Sequence, residues 1–238
     1  MRREVTLEEI SDGRLYDAND MVKADCQDCK GCCDCCKGMG DSVILDPYDV
    51  CRLSRGLGKQ SQELIGTVLE LGVSDGNILP HLMMKGKEES CVFLNEEGRC
   101  SVHAIRPGFC RLFPLGRYYT EDGFKYIIQI HECAKKNRSK IKVKKWIDTP
   151  DLRQYEKFVW DWHQFLLDVQ EVFYQTEDTE LPGFSESRFA TGRTRSLFKI
   201  LGLVQESRAI SWRYTWGCCT CMFMSSCKYK VSLIKISF

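Results

Sequence analysis

Six cysteines fall within eleven residues near the start of the chain, in the stretch CQDCKGCCDCC at positions 26–36. A hydrophobic core does not need that density of thiols, whereas thiolates are common ligands of zinc and of iron–sulfur clusters. Two thiolates separated by two residues can grip one ion through a tight turn. This C-x2-C-x2-C-C pattern, which predicts metal binding, is made by Cys29, Cys32, Cys35 and Cys36.

The doubled cysteine of this stretch indicates more than one metal position. Side chains of adjacent residues diverge, so Cys35 and Cys36 are expected to serve two positions or to differ in role. Four upstream and four downstream thiols are enough for two four-cysteine sites, or for one cluster and one single ion. The downstream thiols are Cys91, Cys100, Cys110 and Cys133.

Ligand type alone leaves the metal open, because zinc and iron both accept four thiolates. Arg106 and Arg111 flank Cys110 in the segment RPGFCR, and arginine keeps its positive charge in any setting. Cations beside buried thiolates stabilise an anionic cluster. The two arginines therefore favour an iron–sulfur cluster, with zinc as the alternative cofactor.

The other cysteines of this half and the histidines are given structural roles. Cys26 and Cys33 are predicted to be spare thiols beside the site, and Cys51 to be a small buried residue of a helix. A histidine three residues after Cys100 has a ligand-like spacing, yet no histidine is predicted to be a ligand. The four are His81, His103, His131 and His163.

The composition excludes several classes of protein. With 238 residues, 43% hydrophobic and 28% charged, the chain is typical of a soluble globular protein. A net charge of +1 gives no global attraction to nucleic acid or to anionic membranes. The charged start lacks the apolar region of a secretory signal, and no run approaches the roughly 18 apolar residues of a membrane helix. We therefore expect a cytoplasmic protein, in a reducing compartment where clustered cysteines bind metal.

Two helices are predicted between the upstream and downstream cysteines. Asp46 is a plausible N-cap and Pro47 suits the first helical position, so a helix is expected to run to about Arg55. Ser61 can cap a second helix, because the apolar residues that follow it, as far as Leu71, fall on one helical face.

Two hairpins are predicted further along. The first, CVFLNEEGRCSV, pairs Leu94 with Arg99, and this register makes Cys91 and Cys100 diagonal neighbours on one face. The second, GRYYTEDGFKYIIQI, turns at residues 122–123, an Asp-Gly pair typical of tight hairpin turns.

The predicted fold class is α+β: a small metal-organised cysteine-cluster domain with short β-hairpins and several helices, followed by a long C-terminal helix. That helix opens at Thr149 and Pro150 and keeps an apolar stripe to about Phe173. Four segments are expected. They are a polar N-terminal segment (1–24), the metal-binding domain (25–135), a basic segment and amphipathic helix packing on it (136–180), and an atypical tail (184–238).

The tail changes character, with almost no acidic residues, weak apolar periodicity and cysteines without an obvious partner. We expect 184–238 to be a frameshifted reading or a disordered segment. The basic run 135–145 has few interleaved aromatic residues, so a solvated face is favoured over a nucleic-acid surface.

Four segments in this order, CKGCCDCC, ILDPYDV, CVFLNEEGRCSVHAIRPGFCRLFPLG and HEC, resemble the YkgJ-type cysteine-cluster family of CxxCxxCC proteins, described as zinc- or iron-chelating. The resemblance spans about residues 26–135. It implies no general activity, although the family is sometimes labelled an iron–sulfur oxidoreductase and a related cluster occurs in flagellin lysine methylases. It does imply a metal-ligand set, namely Cys29, Cys32, Cys35, Cys36, Cys91, Cys100, Cys110 and Cys133.

Two functions are compatible with these features. The first is a cytosolic protein that holds zinc or iron, with iron–sulfur favoured, in a redox or group-transfer role; its enzymatic form would be an iron–sulfur oxidoreductase or group-transfer metalloprotein. The second is a zinc-stabilised module that binds a protein partner and catalyses nothing. A thiol–disulfide exchanger is disfavoured, because no βαβ pattern frames the C-x2-C motif.

Overall fold

The computed structural model describes residues 6–27 and 32–177, the last six as backbone only. Helices and short antiparallel strand pairs make up this part, so the predicted α+β class is confirmed. Cys29 and the tail 184–238 lie outside the described residues. The helices are α1 (Leu7–Ile10), α2 (Pro47–Leu57), α3 (Ser61–Leu64), α4 (Gly108–Leu112), α5 (Val143–Ile147) and α6 (Leu152–Glu177), with short 3-10 helices at Asp34–Cys36 and His103–Ile105.

The strands of the described part form four two-stranded antiparallel sheets. They are β1 (Met21–Asp25) with β8 (Ser139–Lys142), β2 (Leu69–Ser74) with β3 (Asn77–Leu82), β4 (Met84–Lys85) with β5 (Ser90–Cys91), and β6 (Leu115–Tyr119) with β7 (Phe124–Ile128). The β1–β8 pair joins distant parts of the chain, with Met21 opposite Lys142 and Asp25 opposite Ser139. It therefore brings the residues that follow β1 next to those that precede β8.

The first predicted helix, α2, begins as expected. The Asp46 carboxylate accepts a hydrogen bond of 2.8 Å from the Asp49 amide, and Pro47 occupies the first turn. The helix runs slightly further than expected and ends at Gly58, whose φ of 64° is the left-handed conformation that favours glycine. It continues through Gly56 because a residue without a side chain lets Ile105 pack directly on the helix backbone.

The second predicted helix is wrong beyond its first turn. Only α3 is helical, and the chain then forms the hairpin β2–β3. Its turn is Asp75-Gly76, with φ of 49° and 78°, the positive values that a two-residue hairpin turn requires. Leu64 and Leu69 are buried, as the apolar spacing predicted. That spacing was compatible with a helix and with a hairpin, and so it did not predict the secondary structure.

The β6–β7 hairpin confirms the second hairpin prediction, with Tyr119 opposite Phe124 across the turn. The register predicted for the first hairpin is wrong by one residue, because Leu94 bridges Cys100. The Asn95 amide donates to the Arg99 carbonyl at 2.9 Å, and the Asn95 side chain accepts from the Arg99 amide at 2.7 Å. These two bonds make the turn one residue larger than expected.

Helix α6 confirms the long C-terminal helix, and the early part of its apolar stripe is buried. Tyr155, Phe158 and Val159 pack with Tyr48 of α2, whose ring lies 5.5 Å from that of Tyr155. Further along, Leu166 is only half-buried. None of the described helices combines the length and the hydropathy needed to cross a membrane.

Two larger hydrophobic cores contain or contact several of the described cysteines. The first joins β1, β6, β7 and α5 and contains Cys26. The second joins α2, β2, β3 and the segment 91–102 and contains Cys91, with Cys36, Cys100 and Cys110 packed against it. These five cysteines therefore lie where separate helices, strands and loops pack against one another.

Candidate metal centre

A cavity of about 70 Å³ lies at the edge of the second core, and we call it the large cavity. Apolar side chains, among them Val43, Leu82 and Phe93, form much of its wall, and Phe109, 37% exposed, lies at its rim. Six cysteines line it: Cys32, Cys35, Cys36, Cys91, Cys100 and Cys110.

Four separate pieces of chain bring these thiols together. The 3-10 helix Asp34–Cys36 supplies an adjacent pair, and the residue just before its N-cap is Cys32. Strand β5 ends at Cys91, the tight turn after Leu94 presents Cys100, and α4 carries Cys110. The site is therefore assembled by tertiary packing, with only its upstream part given by a local motif.

A second cavity, of about 10 Å³, is lined by a different group of thiols, and we call it the small cavity. Cys26 and Cys133 border it but do not line the large cavity. Cys32 and Cys35 border both cavities, as does Phe113. The thiols thus form two groups, one at each cavity, and Cys32 and Cys35 belong to both.

Burial and mutual proximity raise the thiol pKa values around the large cavity. Burial is the main cause for Cys91, Cys100 and Cys110, and each is raised further by neighbouring cysteines. The pKa of Cys35 is raised first by its hydrogen bond to the Cys36 thiol and then by burial. Such thiols keep their protons at neutral pH unless a cation takes the protons' place, which is how metal binds a thiol cluster. The donor set therefore fits zinc or iron.

Of the two arginines predicted to lie beside the thiols, Arg106 lines the large cavity and Arg111 does not. Arg106 lowers the pKa of both Cys35 and Cys100 by its charge, and Arg99 lines the large cavity too. Arg111 is 5% exposed and turns away, donating to the carbonyl oxygens of Asp148 at 2.6 Å and Ala104 at 3.0 Å. The expectation that Arg111 steadies the thiolates is corrected, because these carbonyls hold its guanidinium.

Three of the four histidines have contacts that account for them without metal. Arg106 donates to His103 Nε2 at 3.1 Å, so that lone pair is engaged although His103 lines the large cavity. The Nδ1 of His81, a buried residue, bonds to the Asp41 carbonyl. The ring of His163 stacks 3.8 Å from that of Tyr119, and His131 is exposed.

The structure corrects the prediction for one cysteine, Cys51, and places the adjacent pair Cys35 and Cys36. Cys51 is exposed on α2, so the prediction that it is buried is wrong, because its helix turns other residues to the core. Cys35 and Cys36 both line the large cavity and their thiols hydrogen bond, but only Cys35 also borders the small cavity. That the two serve different positions or differ in role stays a prediction. Cys33 lines neither cavity and lies near Gly98.

The thiols share cavity walls without forming a finished ligand sphere. Within residues 6–27 and 32–177, no group of three or more His, Cys, Asp and Glu side chains is arranged to hold an ion. Metal binding would therefore have to draw the thiols inward, and Cys29 lies outside the described residues.

Sequence reasoning missed one cysteine that lines a cavity together with the predicted ligands. Cys26 was taken as a spare thiol, yet it is 7% exposed and lines the small cavity with Cys133. A signal was present, because Cys26 precedes Cys29 by the same C-x2-C spacing as the predicted pairs. Its position beside the other thiols required the β1–β8 pairing.

Comparison with known families identifies the class to which this arrangement belongs. Residues 26–146 match the CxxCxxCC family model, described as a "Putative zinc- or iron-chelating domain". The match covers just over half of the chain, so the chain belongs to this family, as the sequence motifs predicted. The description supports binding of zinc or iron. Comparison with curated proteins and with solved structures gave no match.

Proposed function

We propose that this chain is a cytosolic metalloprotein whose large cavity holds an iron–sulfur cluster, used for a redox or group-transfer reaction. The observation that carries the proposal is the convergence of six cysteines on one cavity of about 70 Å³ with arginine in its wall.

The size of the large cavity favours a group of several atoms over a single ion. A cavity that holds one water needs about 10–15 Å³ of space measured in the same way. The large cavity offers about 70 Å³, several times that volume. Six surrounding thiols also exceed the four that one tetrahedral zinc ion accepts.

The wall of the large cavity suits an anionic group. Arg99 and Arg106 offer positive charge, and arginine retains that charge when half-buried. Val43, Leu82 and Phe93 line the same cavity and are buried, and hydrophobic surroundings of this kind tune the potential of a bound cluster. A cluster bound there would supply electron transfer or an iron atom that accepts a substrate ligand.

The test is anaerobic purification of the full chain, followed by a visible spectrum and measurement of iron, zinc and acid-labile sulfide per chain. We expect a brown protein with iron and sulfide in similar amounts. A colourless protein with stoichiometric zinc and no sulfide would contradict the proposal and favour a zinc-stabilised module that binds a partner.

Variants locate the group within the chain. Cys91→Ser and Cys110→Ser should each lose most of the iron and sulfide, because both thiols line the large cavity. Cys51→Ser is the matched control, since that thiol is exposed on α2, and it should retain wild-type metal content. Wild-type iron and sulfide content in both Cys91→Ser and Cys110→Ser would show that these thiols are not the ligands.

A further inference from the structure

We propose that Cys26, Cys32 and Cys133 form a second metal position, at the small cavity, that takes a single divalent ion of the zinc type. The proposal rests on the proposed function, because it concerns the same thiol cluster, but it assigns Cys32 and Cys133 to the small cavity and adds Cys26. The metal centre would then have two different metal positions, one at each cavity, that meet at the 3-10 helix Asp34–Cys36.

The volume of the small cavity selects a single ion. At about 10 Å³ it offers the space of roughly one water, whereas the large cavity offers about 70 Å³. A zinc ion with thiolate ligands at about 2.3 Å needs no larger void, because the ligand atoms themselves form its walls. The cavity has no room for a cluster of several metal and sulfide atoms.

Backbone pairing brings Cys26 close to the loop that carries Cys133, and an ion bound there would draw the thiols inward. Cys26 follows β1 directly, and Cys133 lies a few residues before β8. Asp25 is opposite Ser139, and their side chains hydrogen bond at 2.9 Å. The strand pair thus holds Cys26 beside the loop that carries Cys133.

The two groups of thiols are also built into different cores. Cys26 is a member of the first core, whereas Cys91 belongs to the second and Cys36, Cys100 and Cys110 pack against it. Phe113 borders both cavities. Cys26 is therefore held by the first core and Cys91 by the second, while Cys32 and Cys35 border both cavities. Substitution of Cys26 or Cys133, which border only the small cavity, should remove its ion and leave the group in the large cavity.

The charges around the two cavities differ in the way that two unlike ions require. Asp34, Glu132 and Lys135 line the small cavity, so its charged side chains other than cysteine sum to one negative charge. The large cavity has Arg99 and Arg106 instead. Carboxylates join thiolates as zinc ligands, which leaves the fourth place on the ion for Asp34 or Glu132. A negative surround suits a bare divalent cation and opposes an anionic cluster.

Metal analysis of the full chain tests the proposal. Iron, zinc and acid-labile sulfide per chain are measured for wild type, Cys26→Ala, Cys133→Ser, Cys91→Ser and Cys51→Ser, each purified anaerobically from medium supplemented with Zn²⁺. Cys26→Ala and Cys133→Ser should each lose about one equivalent of zinc and keep iron, sulfide and the visible spectrum. Cys91→Ser should do the reverse, and Cys51→Ser should match wild type.

Cobalt provides a readout of ligand type. Protein expressed with Co²⁺ in place of Zn²⁺ should show thiolate-to-cobalt absorption in the near ultraviolet that Cys26→Ala and Cys133→Ser weaken. Alanine is used at position 26 because that side chain is buried, and circular dichroism checks that the fold is kept. Cys133 is half-buried in a loop, so Cys133→Ser tests the position independently of the first core.

The outcomes separate this proposal from the proposed function. Wild-type zinc content in both Cys26→Ala and Cys133→Ser overturns the second position, as does loss of iron and sulfide together with zinc in those variants. A wild type without iron or sulfide that holds two zinc ions, one of them lost in Cys26→Ala, overturns the iron–sulfur cluster and supports the second position.

Discussion

The Asp49 carboxylate accepts a hydrogen bond of 2.7 Å from the backbone amide of Gly108. This bond joins the first turn of α2 to the first turn of α4, and both residues are buried. Helix α4 carries Cys110, so the bond from Gly108 to Asp49 helps to set the position of one thiol of the large cavity.

Removing that acceptor should destabilise the fold. Asp49→Ala leaves the Gly108 amide buried without its partner, which costs about 1–3 kcal/mol of unfolding free energy. Asp49→Asn keeps an oxygen acceptor and should stay within about 1 kcal/mol of wild type. Guanidinium denaturation of the three proteins measures the difference. Equal stability of the Ala and Asn variants would show that the bond contributes little.

Burial should make stability depend on the ionisation of Asp46. Burial raises its pKa to about 6, against the ordinary value of 3.8, despite opposing hydrogen bonds and the charge of Arg117. Between pH 3.8 and about pH 6, Asp46 therefore keeps a proton in the folded state that it has lost in the unfolded state. This stabilising contribution is complete below pH 3.8 and disappears as the pH rises to about 6.

The Asp46→Asn variant tests this dependence, because asparagine is an equally good N-cap and cannot ionise. Its unfolding free energy relative to wild type should increase by on the order of 3 kcal/mol between pH 4 and pH 7. Denaturation of both proteins at each pH cancels the effects of groups they share. A difference that is constant across this range would contradict the raised pKa.

Gly108 should not tolerate a side chain. A Cβ there would overlap the Tyr155 hydroxyl of α6, so Gly108→Ala should cost about 1–3 kcal/mol of stability. Adding Tyr155→Phe removes the overlapping oxygen and should recover part of the loss, although it also removes the acceptor of a 3.2 Å bond from Arg117. Thermal melts of both single variants and the double variant measure the recovery. Purely additive losses would show that the clash is relieved elsewhere.

Arg111 should be irreplaceable by lysine. Its buried guanidinium bonds to carbonyl oxygens of Asp148 and Ala104, which ties α4 to the end of α5 and to the 3-10 helix His103–Ile105. Lysine has one nitrogen in place of this fork, so Arg111→Lys should lose about 2–3 kcal/mol of unfolding free energy.

Arg52→Lys is the matched control for that prediction. Arg52 also donates to the Ala104 carbonyl, at 3.0 Å, but from a more exposed position, so its replacement should cost less than about 1 kcal/mol. Urea denaturation of both variants makes the comparison. Similar losses in the two would mean that burial of Arg111 adds nothing.

Local signals in the sequence determined the chemistry and several elements of this protein. The cysteine stretch predicted metal binding, in agreement with the family to which the chain belongs. Asp46 and Pro47 located the start of α2, and the Asp-Gly pair at 122–123 located the β6–β7 hairpin. Caps and tight turns are decided by residues within a few positions of one another, so one short stretch contains all the information.

Tertiary structure alone decided how the thiols are grouped. That Cys26 and Cys133 share the small cavity depends on the pairing of β1 with β8, and that Arg111 leaves the thiols depends on the carbonyls at the end of α5. The helix predicted after Ser61 became a hairpin for a related reason, since its apolar spacing was compatible with both structures. Contacts between residues distant in the chain are selected by packing of the whole domain, and no short window of sequence contains that information.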